Sequence, residues 1–155
     1  IINSNINYSI IRTSGTFGIN ASTGKKNFFT WMYDNLRNGR EVKLVQDQIY
    51  SPVLNLILAR AIYEIYEREI PGIMHFSSAD PVSRLEFGWL VSEKFNLDKG
   101  LIKPAAMNQM NWVAKRPKNS SLNNEKALRI LNSKPIKVSE ELNILKNSLS
   151  NGNQG

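Results

Sequence analysis

Residues 8–18 read Tyr8-Ser9-Ile10-Ile11-Arg12-Thr13-Ser14-Gly15-Thr16-Phe17-Gly18. The first half is β-branched and apolar, as a short buried strand requires. The second half is a run of small residues and glycine, which must be a turn or loop. Open α/β sheets bind ligands just outside the carboxyl ends of their strands. Thr13, Ser14 and Thr16 would stand there with hydroxyls able to donate hydrogen bonds to a ligand. The same hydroxyls could equally tie down a turn.

Outward from this stretch, strand-like and helix-like signals alternate. Asn27 to Asn38 reads as a helix, with Phe28, Trp31, Met32 and Leu36 at three- and four-residue spacings and Gly39 suited to end it. Val42–Val45 is a second short strand. Ser51-Pro52 reads as an N-cap and first helical position, opening a largely apolar helix from Val53 to Glu69. Pro71-Gly72 ends that helix and Ile73–Phe76 is a third strand. Ser83-Arg84-Leu85-Glu86 is a capping box that starts a helix to Phe95, with Leu85, Trp89 and Leu90 apolar. Leu101–Pro104 is extended, Met107–Asn119 is a loop, and Asn123 caps a short helix through Leu131. Ser139 caps a last helix carrying Leu142, Leu145 and Leu149, with Glu140 and Glu141 in the turn that the helix dipole favours. Residues 151–155 are expected to form a disordered tail. This order predicts an α/β layer architecture.

The 155 residues are enough for one domain with its own core. The absence of cysteine excludes disulfides, a thiolate nucleophile and cysteine-ligated metals. No apolar run reaches the roughly 18–20 residues of a membrane span, and the start lacks a signal peptide's pattern. A soluble, cytoplasmic protein is expected, and the missing initiator methionine suggests a fragment. Net charge is +7, and 8 of the 20 basic residues but only 3 of the 13 acidic ones follow Ala114. Such a basic region can attract nucleic acid or a phosphorylated ligand, or be a solvated lysine-rich face. Without a helix-turn-helix spacing, an RNP-type strand or zinc ligands, nucleic acid is a weak candidate.

Single chemical motifs are scarce. His75 is the lone histidine, sits between Met74 and Phe76, and reads as structural. Glu140 and Glu141, adjacent on a helix, do not face one another. Glu64 and Glu67 read as a solvated edge. There is no G-x-G-x-x-G loop and no Tyr-x-x-x-Lys pair, so no catalytic residue and no metal ligand is assigned. Lys115-Arg116-Pro117-Lys118 places three cations beside a stiff Arg-Pro step, and arginine binds phosphate bidentately.

The segments NYSIIRTSGTFG (7–18), NFFTWM (27–32), VKLVQDQIYSP (42–52), ARAIYEIY (59–66), PGIMHFSS (71–78), FGWLVSEKFNL (87–97), LIKP (101–104) and AKRPKNSSLNNEKA (114–127) together resemble the C-terminal half of the dTDP-4-dehydrorhamnose reductases. These are extended short-chain dehydrogenases. Residues 71–122 are also similar to the regulatory beta subunit of methionine adenosyltransferase, which implies a non-catalytic nucleotide-binding role as the alternative. The resemblance implies that residues 1–150 are the C-terminal part of a Rossmann-type NAD(P)-binding fold with its small substrate-binding lobe. It implies NADP or NAD as cofactor, bound mainly by an upstream half, and a dTDP-sugar or related nucleotide as ligand. The implied partner is that complementary Rossmann half or a second copy of the chain. Thr13, Ser14, Gly15 and Thr16 match the loop beside the nicotinamide. Asn27, Phe28, Gln48, Ser51 and Arg116 match substrate-side positions, with Arg116 near the diphosphate. The family's glycine loop and catalytic pair lie upstream, so hydride transfer by this chain alone is not expected. The sequence departs from the pattern at Gly15, where tryptophan is usual, and at Phe17, Tyr50, Val53 and Ile57. The loss of tryptophan predicts a missing wall in the sugar pocket.

Overall fold

The computed structural model describes residues 6–19 and 26–152, with the backbone alone for Asn151 and Gly152. In chain order the elements are β1 (Ser9–Arg12), β2 (Thr16–Phe17), α1 (Phe28–Arg37), β3 (Val42–Val45), β4 (Ile49–Tyr50), β5 (Val53–Leu54) and α2 (Asn55–Glu67). They continue with β6 (Gly72–His75), β7 (Val82–Ser83), α3 (Arg84–Phe95), β8 (Ile102–Ala105), α4 (Glu125–Ile130) and α5 (Val138–Gly152). The expected α/β architecture is present. Strands β1 and β6 pair in parallel, Ser9 opposite Gly72 and Arg12 opposite His75. Strands β3 and β8 form a second parallel pair, β2 pairs in parallel with β5, and β4 runs antiparallel to β7. Parallel neighbours need long crossovers; here α2 lies within the β1–β6 connection, and α2 and α3 lie within the β3–β8 connection.

The core is aromatic where α1, β2 and α3 meet. Phe29, Phe76 and Phe87 are fully buried, and Phe17 meets Phe87 edge-on at 5.1 Å between ring centroids. Such edge contacts add roughly 0.5–1.5 kcal/mol beyond the area they bury. Helix α3 approaches the β3–β8 pair at Gly88, where a Cβ would lie 2.2 Å from Leu44 Cδ1. Helix α5 packs its Leu142 and Leu145 into the same core.

Several expected boundaries shift, each for a tertiary reason. Residues Val53 and Leu54 are strand rather than the first turn of α2. The Val53 N–H donates to the Gly15 carbonyl at 3.1 Å and the Leu54 N–H to Glu141 Oε2 at 2.7 Å. Ser51 therefore caps nothing, and α2 begins at Asn55. The same pairing makes Thr16 and Phe17 a short strand instead of loop. Helix α5 starts at Val138, ahead of the expected cap Ser139, because Asp80 Oδ1 accepts from the Val138 N–H at 2.8 Å. Asn123 does accept from the Glu125 N–H, while Asn124 turns inward to Ser77 and Ser78. The capping box at Ser83 and Glu86 forms as read, with both reciprocal bonds. Trp89 is partly exposed beneath Lys99. Of the expected tail, Asn151 and Gly152 continue α5, and residues 153–155 lie outside the described residues.

Candidate functional site

A cleft of about 260 Å³ opens beyond β3, between α1, the start of α3 and the loop after β8. Phe28 and Trp31 line it from α1, Lys43 and Gln48 from β3 and the turn after it, Arg84 from α3, and Trp112 and Arg116 from the loop. Three of its lining residues are cations and none is acidic. Among the described residues neither Arg84 nor Arg116 belongs to an ion pair. Aromatic faces hold both guanidinium groups. Arg116 lies 5.1 Å from the Trp112 ring centroid, and Arg84 lies 4.5 Å from that of Phe28 and 3.9 Å from that of Tyr50.

The loop that carries Trp112 and Arg116 is pinned at both ends by the turn between β3 and β4. Asp47 Oδ1 accepts from the Met107 N–H at 2.8 Å. The Ile49 N–H donates to the Lys118 carbonyl at 2.8 Å, and the Ser120 N–H to the Ile49 carbonyl at 2.9 Å. A more open concavity of about 450 Å³ shares Met110, Trp112 and Arg116 and adds Lys115, Lys118 and Asp47. A larger concavity, of about 530 Å³, lies beside Tyr8, Ser9, Glu67, Glu69 and Pro71. It sits at the amino ends of the β1–β6 pair, opposite to where α/β folds hold ligands.

The structure brings Phe28, Gln48 and Arg116 together in the cleft. Asn27 stands beside it as the N-cap of α1: its Oδ1 accepts from the Thr30 N–H and its Nδ2 donates to the Gly18 carbonyl at 2.7 Å. Ser51 is buried and is not among the cleft's lining residues. Thr13, Ser14 and Gly15 form the loop leaving the carboxyl end of β1, with Thr13 exposed and Ser14 half-buried.

Gly15, where the sequence departs from tryptophan, and Tyr50 are not among the residues that line the cleft. The Tyr50 ring packs over Gly15, so close that a Cβ on Gly15 would lie 3.0 Å from Tyr50 Cε2. Burial pushes the Tyr50 phenol well above its ordinary pKa, against the opposing charge of Arg84. Sequence reasoning missed Arg84, which reads only as part of a capping box, and Trp112, which sits in an aperiodic loop. The signal available for Trp112 was an aromatic residue four positions from Arg116 in an aperiodic loop.

A family model described as the RmlD substrate binding domain matches residues 1–150. The chain belongs to that family. This RmlD substrate binding domain is 32% identical over 94 residues to the spore coat polysaccharide biosynthesis protein SpsK of Bacillus subtilis, covering 61% of this chain and 31% of that protein. It superposes on a dTDP-4-dehydrorhamnose reductase from Bacillus anthracis, solved in complex with NADP, with a TM-score of 0.80 and 25% identity over 91% of this chain and 48% of that one. A hypothetical dTDP-4-dehydrorhamnose reductase from Sulfolobus tokodaii is 37% identical with a TM-score of 0.68, over 80% of this chain and 42% of that one. The chain thus spans a third to a half of these proteins. The Rossmann-type expectation for the β1–β6 pair agrees with these folds. Among the described residues no helix is long and apolar enough to cross a membrane.

Proposed function

We propose that this chain is the substrate-binding portion of a cytoplasmic NAD(P)H-dependent reductase that reduces the 4-keto group of a dTDP-sugar or a related nucleotide-sugar. One observation carries the reading: the cleft is lined by aromatic faces and three cations with no carboxylate. That combination suits a ligand with a flat ring and a doubly anionic linker, as a nucleoside diphosphate has. Trp31 and Trp112 offer ring surface to the base, Gln48 offers amide groups, and Arg116 grips the diphosphate. Thr13, Ser14, Gly15 and Thr16 would border the nicotinamide, the group that supplies hydride when bound. An upstream Rossmann half would complete the β1 edge and contribute the acid–base pair.

Calorimetry with dTDP-glucose tests the reading. Arg116→Ala is expected to weaken binding by roughly 1.5–3 kcal/mol, the size of hydrogen bonds to a charged group. Arg116→Lys should restore part of it, because an ammonium lacks the planar fork. Lys118→Ala should change little, because its charge acts through solvent. Equal losses for Arg116→Ala and Lys118→Ala would reduce the loop to diffuse positive charge.

A further inference from the structure

Arg84 is a cation in an unfavourable place. It is the first residue of α3, where the helix dipole repels positive charge. No carboxylate among the described residues pairs with it. Its guanidinium lies between Phe28 and Tyr50, and both rings are themselves fixed. Phe28 stacks on Trp31 at 5.9 Å between centroids. Tyr50 is buried, with the Gly15 backbone against its ring edge. The Arg84 N–H donates to the Gln48 carbonyl at 3.3 Å, which ties the start of α3 to the cleft's own turn.

A spacer between two rings does not need a charge. Leucine or methionine would fill the space without opposing the dipole or desolvating a cation. A guanidinium sandwiched by ring faces keeps its five N–H donors at the edge of its plane; Arg84 shares a hydrogen bond with the Tyr50 hydroxyl, and its other donors are left for an anion. A cation held at a helix N-terminus by two neutral rings, with no counter-ion among the described residues, breaks a local rule, and such breaks mark functional positions. The edge of Arg84 borders the same cleft as Arg116. The two arginines reach it from different sides, Arg116 from the loop and Arg84 from beside the Gly15–Tyr50 contact.

We propose that Arg84 is a second anion anchor of this cleft, holding one phosphoryl group while Arg116 holds the other, so that the site selects a nucleoside diphosphate over a monophosphate. The inference rests on the nucleotide reading of the cleft given above. It makes Gly15, Tyr50 and Arg84 one unit. The absence of a side chain at Gly15 admits the Tyr50 ring, and the ring presents the guanidinium.

Thymidine, dTMP and dTDP are titrated into the 155-residue chain and its variants, following intrinsic tryptophan fluorescence, to which Trp31 and Trp112 contribute from within the cleft and Trp89 from outside it. The unaltered chain should bind dTDP at least roughly ten-fold tighter than dTMP, the effect of one charge-assisted hydrogen bond. Arg84→Gln keeps a planar polar group without the charge. It should lose roughly ten-fold for dTDP, bring dTDP close to dTMP and leave thymidine unchanged. Should that variant fail to fold, Arg84→Lys carries the test: it keeps the charge but not the fork, and the preference for dTDP over dTMP must narrow. An unchanged preference in either variant while Arg116→Ala weakens dTDP overturns the role of Arg84 and leaves the cleft reading standing. Equal losses for all three ligands also overturn it, by showing that Arg84 only packs the rings. A dTDP affinity insensitive to both arginines, or no dTDP binding by the unaltered chain, overturns the nucleotide reading and this inference with it.

Discussion

Glu141 stands in the first turn of α5, where a carboxylate favours the dipole, yet its side chain is fully buried. Its Oε2 accepts from the Leu54 N–H and its Oε1 has no partner among the described residues. Burial raises its pKa to about 8; the Leu54 hydrogen bond opposes this and the charge of Asp80 adds to it. The folded chain therefore keeps a proton that the unfolded chain releases near pH 4.5. The stability Glu141 contributes is complete below that pH and is lost as pH rises through about 8, by up to roughly 1.4 kcal/mol per pH unit. Glu141→Gln retains the acceptor for Leu54 but cannot ionise, so denaturant midpoints between pH 5 and 8 should fall less steeply than for the parent. Identical slopes would show that the carboxyl does not titrate in the folded chain. Glu64 works in the opposite sense at acid pH. Partial desolvation would raise it, but the N–H groups of Asn132 and Ser133, with Arg68, hold it at about 2. Its contribution is present above pH 4.5 and fades as pH falls towards 2.

At the scale of elements, α3 packs closely on the β3–β8 pair, and the two sides both border the cleft. Leu44 and Gln48 belong to the β3 side of the cleft and Arg84 to the start of α3, so a shift of the helix would move one wall against the other. Gly88 permits the close approach. In Gly88→Ala the new methyl would stand 2.2 Å from Leu44 Cδ1 and 3.4 Å from Met32 Sδ. Overpacking a close-packed core costs about 1–3 kcal/mol, against about 1 kcal/mol of helix propensity gained on replacing glycine. The variant is expected to melt at lower temperature than the parent in calorimetric scans. A rise in melting temperature would mean that Leu44 swings aside freely and that the packing there is loose.

For the whole molecule, the exposed surface points to association. Strand β1 pairs only with β6 among the described residues, and two strands alone do not make a stable sheet. Helix α2 buries Ile57, Ala61 and Ile65 but exposes Leu56, Ile62, Tyr63 and Tyr66, the last at 75%. An open strand edge beside an exposed apolar helix face would favour association. Sedimentation velocity should show concentration-dependent self-association, reduced in the double variant Ile62→Lys with Tyr66→Lys. A monodisperse monomer up to millimolar concentration would contradict it.

The periodicity of the sequence was enough for the long elements. Val42–Val45 and the Ser83 capping box come out at their expected residues, because a strand buried by its own apolar run and a helix capped within four residues are specified locally. The ordered segments from residue 7 to residue 127 were also enough for the family. The short strands were not legible. Val53 and Leu54 look like a helix start, and become extended only because Gly15 and Glu141, distant in sequence, accept their N–H groups. The start of α5 depends in the same way on Asp80. The site divides along the same line. Arg116 stands out in the sequence within a cation cluster, whereas Phe28 is marked as a site residue only by the family resemblance, its helix pattern giving it no more than a packing role. Arg84, Trp112 and the Tyr50 ring over Gly15 leave no local pattern, since a cleft wall assembled from separate elements exists only once those elements have packed.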